Sequence, residues 1–256
     1  MFSYKMILFG DCRDKYCYDI FRYIAENSID EIKYIIFPKN NNDKEIKKIV
    51  RLFRYNIDYF KESFPHKSKK IISSIKKNKI KVALSVSFPN RIRNNFLKLF
   101  EQGVFNAHPG LIQLYRGRHS AFWAIYNDYN FGCTLHTMNE KFDHGLIYDQ
   151  IIIKNNGIES ANTAHILSNL ARLKIIKKNF KKILHNSIKP NLKLKSRGKY
   201  YSKNDIQKKI NLKKNGKLNV KDFWNIIRGT SIANSGFFIN IEKQKYKIVS
   251  KIIKVK

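Results

Sequence analysis

Three side chains in the middle of the sequence could together carry chemistry: Asn106, His108 and Asp143. In an extended segment, residues i and i+2 point to the same side, so Asn106 and His108 share a face before the turn at Pro109. An asparagine amide can donate to a carbonyl oxygen that is becoming an oxyanion, and an imidazole can exchange a proton near neutral pH. A later carboxylate could orient that imidazole and accept the proton of an amine. The three residue types suit acyl transfer, although Asn and His before a proline are also common in turns.

A short basic segment follows the first pair. Tyr115, Arg116, Gly117 and Arg118 bring two guanidinium groups beside a glycine, which lets a ligand approach the backbone closely. Such a segment can bind a phosphate or a carboxylate. It is equally typical of a solvated basic loop, so the residue types alone leave both interpretations open.

The first half of the chain must supply the elements that position these side chains. Residues 5–9, 32–37 and 79–86 are apolar runs typical of buried strands, and stretches with a helical apolar face lie between them. This alternation predicts an α/β fold, Rossmann-like, with a mainly parallel sheet covered on both faces. A further strand at 103–105 leads into Asn106, at the sheet edge where open α/β folds bind ligands.

The pattern changes in the second half of the chain. It predicts a helix at 120–126, strands at 131–138 and 146–153, and a long helix at 161–184. Residues 186–221 are rich in Lys and Asn, a composition typical of a linker or a loosely packed extension. A short helix at 220–228 and a β-hairpin of residues 237–241 and 246–253 are predicted beyond it. We therefore predict a catalytic domain over residues 1–185, and a linker with a small C-terminal subdomain over 186–256.

The composition limits where the protein is expected to be located and which molecules it is expected to bind. The chain has 51 Lys and Arg against 19 Asp and Glu, a formal net charge of +32. The excess is mostly lysine spread along the whole chain, together with Ile, Asn, Tyr and Phe, all of which have AT-rich codons, so we do not expect nucleic acid as the partner. Attraction for a small phosphate-bearing substrate fits equally well. The three cysteines lack a CxxC spacing and no apolar run reaches about 18 residues, so we expect a cytoplasmic protein with reduced thiols and no membrane insertion.

Several dispersed segments, taken together, resemble the formyltransferase family, which includes methionyl-tRNA formyltransferase, glycinamide ribonucleotide formyltransferase and the sugar N-formyltransferases of surface-polysaccharide pathways, such as lipopolysaccharide O-antigen. Several matching segments that follow one another in the family's order identify the family more specifically than any single segment. The resemblance is strongest from about residue 103 to 150. The matching segments are Asn106-Ala107-His108-Pro109-Gly110-Leu111, Tyr115-Arg116-Gly117, Trp123-Ala124-Ile125, Gly132-Cys133-Thr134-Leu135-His136, and Asp143-His144-Gly145-Leu146-Ile147 with Gln150.

The resemblance implies a formyl donor, 10-formyltetrahydrofolate, and a catalytic trio. Asn106 would hold the formyl oxygen, His108 would stabilise the reacting centre or relay its proton, and Asp143 would keep His108 oriented and assist deprotonation of the amine. The segment 85–89 is similar to the strand end that borders the pterin of the folate. The implied cofactor-binding residues are Ser85, Val86, Ser87, Phe88, Gly110, His136 and Gly145.

The acceptor implied by the resemblance is a nucleotide-linked amino sugar. Only about 70 residues follow the long helix, whereas methionyl-tRNA formyltransferases carry a sizeable C-terminal barrel. The implied substrate-binding residues are Tyr115, Arg116, Gly117, Arg118 and Tyr201, and the last of these could instead be a packing residue. One departure is Gln113, where the family usually has proline two positions before Tyr-Arg-Gly. Methionyl-tRNA is the second acceptor under consideration, and we allow for a homodimer.

Three other interpretations stay open on the sequence. His108, His119, His136 and His144 with Asp143 could hold zinc, although no pair has the i, i+4 spacing of a HExxH helix. A non-enzymatic basic protein that binds nucleic acid would not need the Asn106, His108 and Asp143 trio. A folate-deformylating hydrolase could use the same trio with water, but those that resemble this family carry an added regulatory domain.

Overall fold

The computed structural model describes residues 5–55, 57–190, 198–213, 217–232, 236–241 and 244–249. Its strands are β1 (Met6–Gly10), β2 (Ile32–Phe37), β3 (Asp58–Lys61), β4 (Val82–Val86), β5 (Gly103–His108), β6 (Tyr115–Gly117), β7 (Phe131–Thr137), β8 (Ile147–Ile153), β9 (Lys199–Tyr201), β10 (Asn211–Lys213), β11 (Phe237–Ile241) and β12 (Gln244–Ile248). Its helices are α1 (Lys15–Ser28), α2 (Asp43–Leu52), α3 (Lys69–Lys77), α4 (Asn94–Leu97), α5 (Ser120–Tyr126), α6 (Ala161–Leu184), α7 (Lys203–Ile210) and α8 (Val220–Gly229).

A seven-stranded sheet with the order β3-β2-β1-β4-β5-β7-β8 positions the predicted catalytic residues. Strands β1 to β5 pair in parallel, and β7 pairs antiparallel with β5. Each residue of β1 and β4 is buried, as strands covered by helices on both faces require. The strand order reverses between β1 and β4, and a crevice opens beyond the carboxyl ends of the strands at such a point.

The chain forms two compact units that are interleaved in sequence. Unit 1 comprises the described residues up to 108, together with 134–150 and 172–190, and unit 2 comprises 109–133, 151–171 and the described residues from 198 onward. Each unit has an apolar core. Phe9, Ile36 and Phe96 belong to the core of unit 1, and Phe122, Trp123 and Ile226 to that of unit 2.

The predicted fold class is confirmed. The runs at 32–37, 120–126 and 161–184 coincide with β2, α5 and α6, and the other predicted strands shift by a few residues at their ends. The part of the predicted hairpin at 250–253 lies outside the described residues, while β11 and β12 pair antiparallel as expected. The division into residues 1–185 and 186–256 stays a prediction.

The segment predicted to be a linker is more structured than its composition indicates. Within residues 198–213 it contains β9, α7 and β10, because Tyr201 and Ile210 bury their side chains in unit 2 despite the surrounding lysines. Helix α7 begins at a capping box formed by Ser202 and Asp205, which satisfies free backbone N–H groups at the helix start. Among the described residues, no helix is long and apolar enough to cross a membrane.

Candidate active site

Strand β5 places Asn106 and His108 at the edge of the sheet where the parallel strands have their carboxyl ends. Parallel pairing places Ser85 of β4 beside Asn106, and antiparallel pairing places His136 of β7 on its other side. His108 lies opposite Thr134 in the same ladder. Because Asn106 and His108 are two residues apart on one strand, their side chains leave the same face, as the sequence predicted.

A hydrogen bond fixes the Asn106 amide. Its Nδ2 lies 3.3 Å from Nε2 of His136, and Nδ1 of His136 lies 2.8 Å from the carbonyl oxygen of Thr137. The nitrogen that faces a carbonyl must carry the hydrogen, so Nε2 of His136 accepts from the Asn106 amide. His136 is only 1% exposed. It therefore orients Asn106 while leaving the second amide hydrogen for another acceptor.

Asp143 lies in a loop that is fastened to the end of β7. The Thr137 backbone N–H donates to the carbonyl of Leu146, and the Leu146 N–H donates to the Thr137 hydroxyl. At Gly145 a Cβ atom would lie 1.5 Å from the Thr137 carbonyl oxygen, so only glycine permits this approach. Asp143 itself has φ of 48°, in the left-handed region that aspartate tolerates better than most residues.

The Asp143 carboxylate lies near two imidazoles. Its Oδ1 is 3.7 Å from Nδ1 of His108 and 3.6 Å from Nε2 of His136. Both distances exceed those of a hydrogen bond, but they bring the carboxylate within strong electrostatic range of His108. The side chains of His108 and Asp143 are 10% and 12% exposed, so solvent screens this interaction little.

His108 is held as a neutral imidazole. Burial lowers its pKa below the ordinary value of 6.5, the charge of Asp143 opposes this effect, and His136 and Arg172 add to it. The net direction is downward, so His108 is a base at neutral pH. Its Nε2 atom is buried and has no hydrogen-bond partner among the described residues. A neutral, orphaned ring nitrogen is suited to bind a polar ligand atom or accept a proton.

A pocket in unit 1 adjoins these groups. Its apolar lining includes Phe88, Ile92 and Met138, and its polar lining includes Ser85, Asn106, His136 and Asp143. Apolar side chains beside convergent polar groups are typical of a small-molecule site. The three groups of the predicted catalytic trio therefore lie together within unit 1.

The predicted cofactor-binding residues divide into three groups. Ser85, Phe88 and His136 line the pocket. Val86 is fully buried, and the Ser87 hydroxyl turns to Asp14 and Arg172. Gly145 contributes by permitting the loop that carries Asp143, whereas Gly110 belongs to unit 2.

The predicted substrate-binding residues lie together in unit 2. Strand β6 pairs in parallel with β9, and Nε of Arg116 donates to the Gly198 carbonyl at 2.7 Å. Tyr115 is buried, and Tyr201 stacks on Trp123 with ring centroids 3.8 Å apart. At Gly117 a Cβ atom would lie 2.3 Å from the Tyr201 carbonyl oxygen, so glycine is required there.

Two side chains in the same part of unit 2 are exposed, Arg118 and Tyr200, and the exposed fraction of Tyr200 is 41%. Tyr201 is only 6% exposed, so its ring serves packing in the first place. Tyr200 is the ring with surface available to a ligand. In the parts of the chain that the structure describes, no group of three or more His, Cys, Asp or Glu side chains could hold a metal ion.

The sequence interpretation missed two residues, Asp14 and Arg172. Nη2 of Arg172 lies 2.7 Å from Oδ2 of Asp14, although the residues are 158 positions apart. Arg172 is 1% exposed, on the buried face of α6. A signal existed in the sequence: polar Asn169, Arg172 and Asn179 recur at helical spacing beside the apolar positions of α6.

Comparison with known proteins finds several curated relatives, two of which illustrate the match. The chain is 30% identical over 151 residues to the bifunctional polymyxin resistance protein ArnA of Wigglesworthia glossinidia brevipalpis, a match that covers 48% of this chain and 23% of the relative. It is 35% identical over 85 residues to GDP-perosamine N-formyltransferase of Brucella melitensis, covering 33% of this chain and 32% of the relative. The matched segments therefore span less than a third of either relative.

Solved structures share the fold over nearly the whole chain. A 4-N formyltransferase from Francisella tularensis superposes with a TM-score of 0.81 at 18% identity, covering 99% of this chain and 100% of the other. A sugar N-formyltransferase from Shewanella gives 0.80 at 17% identity, covering 98% and 99%. An N-formyltransferase from Helicobacter canadensis, in complex with folinic acid and dTDP-3-aminofucose, gives 0.68 at 21%, covering 97% and 87%.

The family model described as Formyl transferase matches residues 38–172, more than half of the chain. The matched range contains β4, β5 and β7, the loop of Asp143 and every residue that lines the pocket. Asn106, His108 and Asp143 thus occur within a match that extends across most of the sheet. This chain belongs to the formyl transferase family.

Proposed function

We propose that this chain transfers a formyl group from 10-formyltetrahydrofolate to the primary amine of a nucleotide-linked amino sugar. The observation that carries the proposal is the convergence of Asn106, a neutral His108 and Asp143 beside one pocket of unit 1. An oriented amide donor, a base and a carboxylate are the groups that acyl transfer to an amine needs.

The pocket fits a reduced folate. Its apolar side chains can cover a fused ring, while Ser85, Asn106 and His136 offer polar contacts at one end. When bound, 10-formyltetrahydrofolate supplies a formyl group on a nitrogen atom. His108 does not line the pocket itself, but its ring, with the orphaned Nε2, lies 3.7 Å from the Asp143 carboxylate that does.

Each residue of the trio has a distinct role in the proposal. Asn106, held by His136, directs its remaining amide hydrogen to the formyl oxygen, where negative charge develops. His108 takes up or relays a proton because its lowered pKa keeps Nε2 basic and unprotonated near pH 7. Asp143 orients His108 and stabilises the imidazolium when the proton arrives.

The sugar acceptor is supported by the relatives and by unit 2. One curated relative is a GDP-perosamine N-formyltransferase, and one structural neighbour was solved with dTDP-3-aminofucose. In unit 2, Arg116 and Arg118 bring two guanidinium groups that suit a diphosphate, and Tyr200 presents a ring that suits a base. A homodimer, a cytoplasmic location and a place in surface-polysaccharide synthesis stay predictions.

A transfer RNA is the second acceptor, and the net charge of +32 is the observation that favours it. The test is to incubate the protein with 10-formyltetrahydrofolate and either initiator methionyl-tRNA or a panel of GDP-, dTDP- and UDP-linked amino sugars. Formylated products are read by mass spectrometry between about 50 and 200 mM salt, where a complex that neutralises several phosphates weakens by orders of magnitude.

We expect a sugar product whose formation depends modestly on salt. An Asp143→Asn protein is the control for enzyme-dependent turnover. Formylation of the tRNA alone, with steep salt dependence, would refute the sugar acceptor. Absence of any product, together with no rise in melting temperature on adding 5-formyltetrahydrofolate, would refute formyl transfer itself, because a ligand that binds only the native state must stabilise it.

A further inference from the structure

A partly buried network outside the catalytic trio joins three elements of unit 1. The Arg172 guanidinium donates to Oδ2 of Asp14 at 2.7 Å and to the Ser87 hydroxyl. The Ser87 hydroxyl in turn donates to the same carboxylate oxygen. Asp14 is the N-cap of α1, Ser87 directly follows β4, and Arg172 lies in the middle of α6. The network therefore fastens the turn after β4 to two helices.

The turn after β4 needs such a restraint. Ser87 has φ of 63°, a left-handed conformation that glycine adopts freely and serine does not. The residues Ser85 and Phe88, which flank this turn, both line the pocket. A relaxation of Ser87 to an ordinary extended or helical conformation would displace that wall of the pocket. The hydroxyl bonds to Asp14 and Arg172 oppose this relaxation.

The ion pair within the network is well formed. Burial opposes ionisation of Asp14, but the charge of Arg172 and the hydrogen bonds from Ser87 and Arg172 outweigh it, so the pKa of Asp14 lies below its usual value. Arg172 also acts on His108, whose pKa it lowers together with burial and His136, against the opposing charge of Asp143. One buried cation thus influences both the pocket wall and the catalytic base.

We propose that Arg172 is a positioning residue for formyl transfer, which acts through Asp14 and Ser87 to hold the turn after β4 in the conformation that forms the wall of the donor pocket. The inference rests on the proposed function for the identity of the donor. A merely structural ion pair would stabilise the fold without any selective effect on folate affinity, and this difference can be measured.

The first test compares the affinity for 5-formyltetrahydrofolate of four variants without any acceptor present. Arg172→Met and Ser87→Ala should each weaken binding roughly tenfold, the factor that corresponds to the cost of an unsupported left-handed residue. Ser87→Gly should stay within about threefold of the wild type, because glycine needs no support at this φ. Lys174→Met, which removes an exposed cation two residues along α6, is the matched control and should bind like the wild type.

The second test follows His108 by NMR titration of its ring protons in the protein without folate. Loss of the Arg172 cation should raise the pKa of His108, whereas Lys174→Met should leave it unchanged. Circular dichroism in the near ultraviolet establishes that each variant is folded. If Arg172→Met does not fold, Asp14→Asn combined with Arg172→Met removes both charges while asparagine preserves the helix cap.

The outcomes separate this inference from the proposed function. A wild-type protein that does not bind 5-formyltetrahydrofolate would refute the proposed donor. A wild-type protein that binds it, alongside folded Arg172→Met and Ser87→Ala proteins of unchanged affinity, would refute the positioning role alone. Equal losses of folate affinity in Ser87→Ala and Ser87→Gly would also refute it. The network would then not act by holding the backbone conformation of residue 87.

Discussion

At the residue scale, a different structural feature holds each of three side chains, Asn106, His108 and Asp143, in place. His136 saturates one hydrogen of the Asn106 amide and the loop of Asp143 holds the carboxylate, while the ring of His108 is fixed by burial. In the proposed reaction the three act on charge that develops as the formyl group is transferred. Their removal should therefore affect turnover more than donor binding.

We predict that His108→Ala and Asp143→Asn lower kcat by about a hundred- to ten-thousandfold, the usual effect of losing a positioned proton-transfer group. Asn106→Ala should lower it by roughly a hundred- to a thousandfold, as for an oxyanion donor. Steady-state kinetics with 10-formyltetrahydrofolate and the identified acceptor measure both effects. His185→Ala, an exposed histidine near the end of α6, is the control. A folded variant with a near-normal rate would exclude that residue from the mechanism.

The direction of the His108 pKa shift predicts two pH effects. Because the pKa is lowered from 6.5, the imidazole stays neutral to more acidic pH, so the acidic limb of kcat/KM should lie below pH 6.5. In the unfolded chain His108 becomes protonated as the pH falls through about 6.5, whereas in the folded chain it stays neutral to lower pH. The free energy of unfolding therefore decreases as the pH falls through that value. Relative to His108→Gln, the wild type should lose stability below pH 6.5. Parallel stability curves for the two proteins would contradict the assignment.

At the element scale, the end of β7 and the following loop set the position of Asp143. Gly145 meets the Thr137 carbonyl so closely that any side chain must push the loop away from the strand. We predict that Gly145→Ala lowers kcat by at least about a hundredfold, because a displacement of about 1 Å in a catalytic group can have that effect. Turnover and near-ultraviolet circular dichroism measure it.

Gly157→Ala is the matched control for this substitution. Gly157 has a positive φ, which Gly145 does not, and a Cβ atom there meets nothing within 4 Å. It should cost only the backbone penalty of about 1 kcal/mol and leave turnover unchanged. Equal losses of activity in both variants would indicate that the close approach of Gly145 to Thr137 does not explain the effect.

The elements that the sequence predicted are those with continuous apolar runs. Strands β1 and β2 are buried along nearly their whole length, so their composition identifies them. Strand β3 is an edge strand with half-exposed and exposed residues, and β6 has three residues, so neither leaves a periodic signal. Asn106 and His108 were predicted together because they stand two residues apart on one strand, and Asp143 was added to them by the resemblance of the segment around it. Arg172 was not predicted, because the polar positions that recur along α6 do not identify a partner 158 positions away.

At the scale of the whole molecule, unit 2 depends on residues from both ends of its sequence range. Strand β6 pairs with β9, and the core of unit 2 combines Phe122 and Trp123 of α5 with Ile226 of α8. We predict that a protein ending at residue 185 loses the cooperative unfolding transition of this unit, because it lacks β9 and α8. Calorimetry and proteolysis of the fragment measure the loss. A fragment with the full chain's near-ultraviolet spectrum would instead support the predicted boundary at 185.

Between residues 108 and 172 the chain crosses from one unit to the other four times. Parts that are encoded as one contiguous block can be exchanged between homologous genes by a single recombination event, but neither of these units is such a block. A chimera of two homologues joined at a single point would therefore build each core from segments of both parents. Changes in acceptor preference within such a scaffold must therefore accumulate through point substitutions and loop-length changes, and engineers who wish to alter it should graft individual loops.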